Sequence, residues 1–175
     1  HFQITQGGWD KRQNKYPSML KNWEREGFLD VCNSEVATTE DRHRMLKMLF
    51  NKHKIMAVCY DPFLAHHGAI QPFIDFYGDD IFYSVQQGRR HLSEPTKMLY
   101  KDTYSGKLKH DKNTIMAWMV ANAVVKEDED GNIKLDKEKS SEKIDGMAAL
   151  ANAYAYYLHH LDKMSQYNDE GIMFV

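Results

Sequence analysis

Two aspartates, Asp61 and Asp145, stand at positions from which side chains commonly do chemistry. Asp61 directly follows an apolar run, residues 54–60, whose length and composition predict a buried strand. Asp145 stands near the start of an alanine-rich stretch, residues 144–158, whose apolar residues repeat at helical spacing. Because sites in open α/β sheets form at the carboxyl ends of strands, these two acids can converge on one point.

Carboxylates without a Cys or His cluster beside them suit hard cations. Two or three such groups indicate Mg²⁺ or Mn²⁺, and two ions about 4 Å apart can activate water and stabilise the leaving oxygen in phosphodiester cleavage. A structural interpretation fits the same residues. Asp-Pro after a strand is a common turn, and an acid in the first turn of a helix interacts favourably with its dipole. Spacing alone leaves both interpretations open.

The composition predicts one globular domain with a substantial core. The chain has 175 residues, of which 42% are hydrophobic and 27% are charged, and its net charge is −2. Overall charge therefore gives no indication of a nucleic-acid partner, and any basic surface must be local.

Cys32 and Cys59 lie in apolar runs, which indicates reduced, buried thiols. No apolar run approaches the roughly 18 residues of a membrane helix.

Strands that alternate with helices predict an α/β domain. The predicted strands cover residues 1–5, 28–32, 54–60, 80–85 and 114–125, and a hairpin turns at Gly131-Asn132 into a strand at 133–135. The predicted helices cover residues 17–26, 39–52, 68–77, 93–104 and 144–162, with Thr38 and Ser93 as caps. Residues 6–16 are predicted to form a loop because they contain Gly7-Gly8 and several polar residues.

Seven short segments carry a family resemblance because they occur in one order. They are Tyr60-Asp61-Pro62, Val85-Gln86-Gln87-Gly88, Leu92-Ser93-Glu94-Pro95, residues 106–111, Ala121-Asn122-Ala123, residues 130–134 and residues 143–150. The series resembles the C-terminal nuclease domain of the large terminase subunit of tailed bacteriophages. The segment from Tyr16 to Gly27 is also similar to that family, so the resemblance covers nearly the whole chain.

The resemblance implies an RNase H-like α/β fold with a central mixed β-sheet flanked by α-helices. It also implies a metal-dependent endonuclease that cuts concatemeric double-stranded phage DNA during packaging, with two Mg²⁺ or Mn²⁺ ions in the complete site. Asp61 matches the family's acid at the end of the central strand. Asp145 matches the acid at the start of the last helix, so both are expected to be catalytic metal ligands.

The family's remaining acid lies on a first strand that is expected to precede His1. We therefore expect residues 1–175 to be a single nuclease domain that is incomplete at its N-terminus, and we do not assign the missing role to Asp10. No Walker-type G-x-x-x-x-G-K-[ST] loop occurs in the sequence, so the motor ATPase is not expected in this chain.

Further basic and histidine residues are candidates for the site or for DNA. The candidate site-lining residues are His110 and Lys143, and the candidate contacts to the DNA backbone are Arg89, Arg90, Lys107, Lys109, Lys137 and Lys139. His91, Lys97, Lys101 and Lys112 add to the basic middle of the chain, and solvated helix faces explain that segment equally well. His66-His67 is interpreted as part of a solvated loop, and His159-His160 as a pair that interacts with a helix dipole.

Two other functions fit the sequence. One is a DNA-gripping or protein-docking module of a packaging motor, without catalysis, in which the acids are structural. The other is a different RNase H-like enzyme, such as a transposase or a resolvase, which would require a specific recombination site.

For the terminase interpretation the expected partners are double-stranded DNA and, through the full-length protein, the terminase small subunit and the portal protein. The expected location is the cytoplasm of the bacterial host, without a membrane partner.

Overall fold

The computed structural model of the protein describes residues 1–63 and 68–161. His66-His67 and the predicted tail at residues 164–175 lie outside the described residues. The chain divides into two compact units. The first contains residues 1–55 and 113–115, and the second contains residues 56–112 and the chain from 116 onward.

The first unit pairs two strands in parallel and adds three helices. Its elements are β1 (Phe2–Thr5), α1 (Gln6–Gln13), α2 (Pro17–Arg25), β2 (Leu29–Cys32) and α3 (Thr39–Lys52). The strand register aligns Phe2 with Leu29 and Thr5 with Cys32. The predicted helix at residues 17–26 is confirmed as α2, since Pro17 occupies its first position and Gly27 follows it at φ +75°.

The predicted loop at residues 6–16 is wrong because α1 forms there. Thr5 caps this helix, and its hydroxyl oxygen accepts a hydrogen bond from the Gly8 backbone N–H at 3.1 Å. The capping threonine therefore outweighs the helix-weakening effect of Gly7 and Gly8. The cap predicted for α3 is confirmed and is a full capping box between Thr38 and Asp41.

The second unit contains two further strand pairs. Its elements are β3 (Val58–Tyr60), α4 (Gln71–Tyr77), β4 (Phe82–Ser84), α5 (Arg89–Tyr104), β5 (Val125–Glu127), β6 (Ile133–Leu135) and α7 (Asp145–His159). Helix α6 (Thr114–Asn122) belongs to the first unit up to Ile115 and to the second unit from Met116. Strands β3 and β4 are parallel, and β5 and β6 are antiparallel as the predicted hairpin requires.

The α/β character is confirmed, but the strands of the described chain do not join into one central sheet. They form three separate two-stranded sheets, two parallel and one antiparallel. Each strand pairs over only three or four residues. Residues 54–57 of the predicted buried strand lie outside β3 because the ladder with β4 starts at Val58 and ends at Tyr60.

Two predicted elements have different structures. The predicted strand at residues 114–125 is mostly helix α6, because the side chain of Asn113 accepts a hydrogen bond from the Ile115 N–H at 3.0 Å and starts the helix. Helix α5 begins at Arg89 rather than after Ser93. The buried Ser93 hydroxyl instead accepts a hydrogen bond from the Ile133 N–H of β6 at 3.1 Å.

The core of the second unit lies where α5 packs against α7. Val85, Leu92 and Ala155 form a buried apolar cluster there, and Cys59 packs against it. Both thiols are free, as predicted; Cys32 is buried and Cys59 is half-buried. No helix within the described ranges combines the length and apolar character needed to cross a membrane.

Candidate active site

The parallel pair β3–β4 brings two loops to the same edge of the second unit. Asp61 directly follows β3, and Gln87, Gly88 and Arg89 follow β4. A cleft of about 520 Å³ lies at this edge, as expected at the carboxyl ends of parallel strands. Its lining residues are Asp61, Gln87, Gly88, Arg89, Leu92, Thr96, Lys126, Lys134, Leu135, Asp136, Lys137, Glu138, Ala148 and Ala151.

Asp61 lines the cleft and also shapes the turn that follows it. The residue is half-buried, and its Oδ1 accepts a hydrogen bond from the Phe63 backbone N–H at 2.9 Å. Pro62 lies between them and has no backbone N–H that would need a partner. Asp61 therefore has the turn role that an Asp-Pro sequence predicts and lies at the cleft as well.

Asp145 is the first residue of α7, and an ion pair joins it to a residue that lines the cleft. Its side chain is 62% exposed, and its Oδ1 lies 3.0 Å from the Nζ of Lys137. Lys137 is a lining residue of the cleft, whereas Asp145 is not. Lys137, which was predicted to contact DNA, therefore pairs with Asp145 and lines the same cleft as Asp61.

Lys137 is held in place by a turn that sequence reasoning missed. The preceding residue, Asp136, is 9% exposed, and its Oδ1 accepts hydrogen bonds from the backbone N–H groups of Glu138 and Lys139 at 3.0 and 3.2 Å. The Lys139 N–H contributes most to holding the pKa of Asp136 below its usual range. The signal in the sequence was an Asp able to hydrogen-bond the backbone two residues further on.

Polar contacts tie the remaining walls of the cleft together. The Nζ of Lys134, on β6, donates to the backbone carbonyl of Gln87 after β4. The Gln87 side chain donates to the Asn152 side chain of α7 at 3.1 Å. Strand β6, the loop after β4 and helix α7 are therefore cross-linked around the cleft. Neither Gln87 nor Asn152 was predicted as a site residue.

The cations of the cleft outnumber its carboxylates. Arg89, Lys126, Lys134 and Lys137 face Asp61, Asp136 and Glu138. Arg89 also lies 4.0 Å from Asp128 Oδ2, on the acidic turn of the hairpin. The predicted DNA residues Arg89 and Lys137 are thus at the cleft.

The other predicted residues lie elsewhere on the surface. Arg90, Lys107, Lys109, Lys139, His110 and Lys143 are all exposed and do not line this cleft. His110 has a local role, since its Nδ1 accepts a hydrogen bond from the Lys112 N–H at 3.1 Å. Their contacts with DNA stay a prediction.

The donor chemistry of the two acids fits Mg²⁺ or Mn²⁺, which prefer oxygen ligands. Asp61 and Asp145 alone do not complete a site. Within residues 1–63 and 68–161, no group of three or more His, Cys, Asp or Glu side chains is arranged to hold a metal ion.

Comparison with known proteins gives consistent matches. Residues 5–160 match the family model described as terminase large subunit, endonuclease domain. Protein YmfN of Escherichia coli (strain K12) is 38% identical over 137 residues, which is 77% of this chain and 29% of that protein. The terminase, large subunit, of Enterobacteria phage HK97 is 34% identical over 64 residues, 37% of this chain and 13% of that protein.

The fold has a counterpart among solved structures. The crystal structure of the HK97 bacteriophage large terminase matches with a TM-score of 0.78 and 21% sequence identity, over 88% of this chain and 32% of that chain. The chain therefore spans less than a third of the length of each of these proteins.

Proposed function

The chain belongs to the family of terminase large subunit endonuclease domains, and from that membership we propose that it hydrolyses phosphodiester bonds of duplex DNA. Its biological substrate would be concatemeric phage DNA, cut during genome packaging. The match over residues 5–160 carries this proposal because it includes both Asp61 and Asp145. The position of Asp61 in a cleft at the ends of two parallel strands supports it.

The proposed architecture is RNase H-like. The match to the HK97 large terminase at a TM-score of 0.78 supports a fold shared with part of that protein. The parallel strands β3 and β4 would belong to the central sheet of such a fold, with Asp61 directly after β3. Helix α7 would be the last helix, with Asp145 at its start.

We propose Asp61 and Asp145 as ligands of Mg²⁺ or Mn²⁺, with a further acid that the family resemblance implies. When bound, ions of this kind activate water and stabilise the leaving oxygen of a phosphodiester. The residues of the cleft itself have complementary roles. Arg89, Lys126 and Lys134 supply positive charge that would orient the DNA phosphates, and Lys137 balances the charge of Asp145.

The partners and location follow from the same family. We propose that the full natural protein works with a terminase small subunit and a portal protein in the cytoplasm of the bacterial host. Double-stranded DNA would be the macromolecule that enters the cleft.

The proposal is tested by cleavage of supercoiled plasmid with the full natural protein. We expect nicking and linearisation in Mg²⁺ or Mn²⁺, no cleavage in EDTA, and loss of cleavage in Asp61→Asn and Asp145→Asn. Circular dichroism of each variant verifies that the fold is retained. Equal cleavage by the natural protein and both variants would rule out these two acids as the catalytic pair.

A non-catalytic DNA-gripping or protein-docking module is the second candidate. It is favoured by the local partners of the two acids, since Asp61 accepts the Phe63 N–H and Asp145 pairs with Lys137. For this function we expect DNA binding that is independent of metal and unchanged in both aspartate variants. The plasmid would then remain intact under all conditions.

A further inference from the structure

The exposed face of α5 carries three cations that have no ion-pair partner in the part of the chain that the structure describes. Arg90, Lys97 and Lys101 are exposed. With 3.6 residues per turn, the three positions lie within about 40° of one another around the helix axis. The opposite face of α5 is buried through residues such as Leu92 and Leu99.

One carboxylate, Glu94, lies on the same exposed face. Three cations against one carboxylate leave the face with an excess of positive charge. Because these side chains are solvated and the cations unpaired, they are available for an anionic partner without breaking an existing ion pair.

Two exposed tyrosines continue this face toward the end of the helix. Tyr100 and Tyr104 are 72% and 85% exposed, and their rings are stacked with centroids 6.4 Å apart and planes at 15°. The pair lies one helical turn apart, so it presents two neighbouring phenol hydroxyls to solvent. Tyrosine hydroxyls are among the groups that donate hydrogen bonds to DNA phosphates.

The charged face leads away from the candidate active site. Helix α5 begins at Arg89, which lines the cleft that contains Asp61. From Arg90 the face extends to Lys101 over about 16 Å at 1.5 Å per residue. The face therefore begins one residue from the cleft and runs along the helix from there.

We propose that this α5 track (Arg90, Lys97, Tyr100, Lys101 and Tyr104) binds the sugar–phosphate backbone of the duplex on one flank of the cleavage point. The inference rests on the proposed endonuclease function and identifies where the substrate lies outside the cleft. Since the rise per base pair is about 3.4 Å, the span from Arg90 to Lys101 corresponds to about five base pairs. The spacing from Lys97 to Lys101, about 6 Å, corresponds to about two.

A DNA backbone suits this face better than an acidic protein surface does. The cations follow one another along the helix from Arg90, the residue after the cleft residue Arg89, as the phosphates of one strand do. Their side chains are long and solvated, which suits contacts that position the backbone without carrying sequence information. An acidic protein partner would require no such continuity with the cleft.

The test measures duplex binding by the full natural protein in Ca²⁺ or EDTA, at several salt concentrations. For the double variant Lys97→Gln/Lys101→Gln we expect binding roughly 10- to 30-fold weaker at 0.15 M salt, and a slope of log K against log salt that is smaller by about 1.8, or 0.9 per lost phosphate contact. For Tyr100→Phe/Tyr104→Phe we expect weaker binding with an unchanged slope, because a hydroxyl releases no counterion.

The matched control is Lys21→Gln/Lys47→Gln, which removes two exposed charges from helices α2 and α3 of the first unit. We expect its binding and salt slope to equal those of the natural protein. Hydroxyl-radical footprinting should show that the Lys97/Lys101 variant loses protection on only one side of the cut. Glutamine keeps a high helix propensity, so the variant should fold normally.

The outcomes separate this inference from the proposed function. If the natural protein neither binds nor cuts duplex DNA, the proposed function fails. If it binds and cuts, but the Lys97/Lys101 variant equals the natural protein in DNA affinity, salt slope and footprint, the α5 track does not bind DNA. That second result would favour an acidic protein as the partner of this face.

Discussion

The ammonium group of Lys137 lies 3.0 Å from the carboxylate of Asp145 and belongs to the same cleft as Asp61. The lysine therefore contacts one of the two predicted acids and shares a cleft with the other. The turn around Asp136 fixes the backbone on either side of it. A positive charge in this position balances Asp145 and would compete with any divalent cation for the same carboxylate.

We predict that Lys137→Gln tightens Mn²⁺ binding by about fivefold, as expected when roughly 1 kcal/mol of competition between charges about 4 Å apart in water is removed. Calorimetric titration of the full natural protein without DNA measures this effect. Stability should change by less than about 1 kcal/mol because both partners of the ion pair are exposed. Lys139→Gln, in the same turn but outside the cleft, is the control, and equal or weaker Mn²⁺ binding by the Lys137 variant would contradict the prediction.

Asp145→Asn should lower the rate of plasmid cleavage by more than about 100-fold. Even partners one shell outside a metal ligand cost about 10- to 100-fold when removed, so a direct ligand should cost more. The fold should be retained because the Asp145 side chain is 62% exposed. Asp79→Asn, an exposed acid that does not line the cleft, should cut at the normal rate. Normal cleavage by the Asp145 variant would refute its catalytic role.

Helices with strong local signals could be predicted from the sequence. The capping box of Thr38 and Asp41 marks the start of α3, and Pro17 and Gly27 mark the limits of α2. The hairpin is equally local, since Gly131 adopts φ +73° between β5 and β6. Each of these elements is specified by residues within a few positions of one another, so no tertiary information was needed.

The elements that were missed depend on competition between local signals or on distant contacts. The apolar residues of α6 favour strand and buried helix about equally, and the cap at Asn113 decides between them. Ser93 has the residue type of a cap, yet it bonds Ile133, 40 positions away. Asp61 and Asp145 could be identified as candidates, but the ion pair of Asp145 with Lys137 could not, because it depends on the folded turn at Asp136.

Thr38→Ala should lower the free energy of unfolding by about 1 kcal/mol at pH 7, the usual cost of losing an N-cap. Thr38 also holds the pKa of Asp41 below its usual value of 3.8, chiefly through its side-chain hydrogen bond. A carboxylate with a lowered folded pKa stabilises the protein above pH 3.8, and this contribution is lost as the pH falls through the folded pKa.

Urea unfolding at pH 7 and at pH 2.5 therefore provides the measurement for Thr38→Ala. The difference between the natural protein and the variant should be smaller at the lower pH, because the stabilisation by ionised Asp41 decreases as the pH falls from 3.8 through its lowered folded pKa. The neighbouring exposed Thr39 offers a control in Thr39→Ala. A destabilisation of equal size at both pH values would show that the Thr38–Asp41 contact does not depend on the charge of Asp41.

A buried hydrogen bond between helices α7 and α5 supports the last prediction. The hydroxyl of Tyr154, which is fully buried, donates to Asp102 Oδ2 at 3.2 Å, and Asp102 is only 5% exposed. Burial, with the nearby Asp102 charge, raises the pKa of Tyr154 and keeps the donor protonated. Tyr154→Phe should destabilise the protein by about 1–3 kcal/mol because it removes a donor from a buried carboxylate. Tyr104→Phe, at an 85% exposed position, should leave chemical unfolding unchanged, and equal stability of both variants would show that Asp102 does not need this partner.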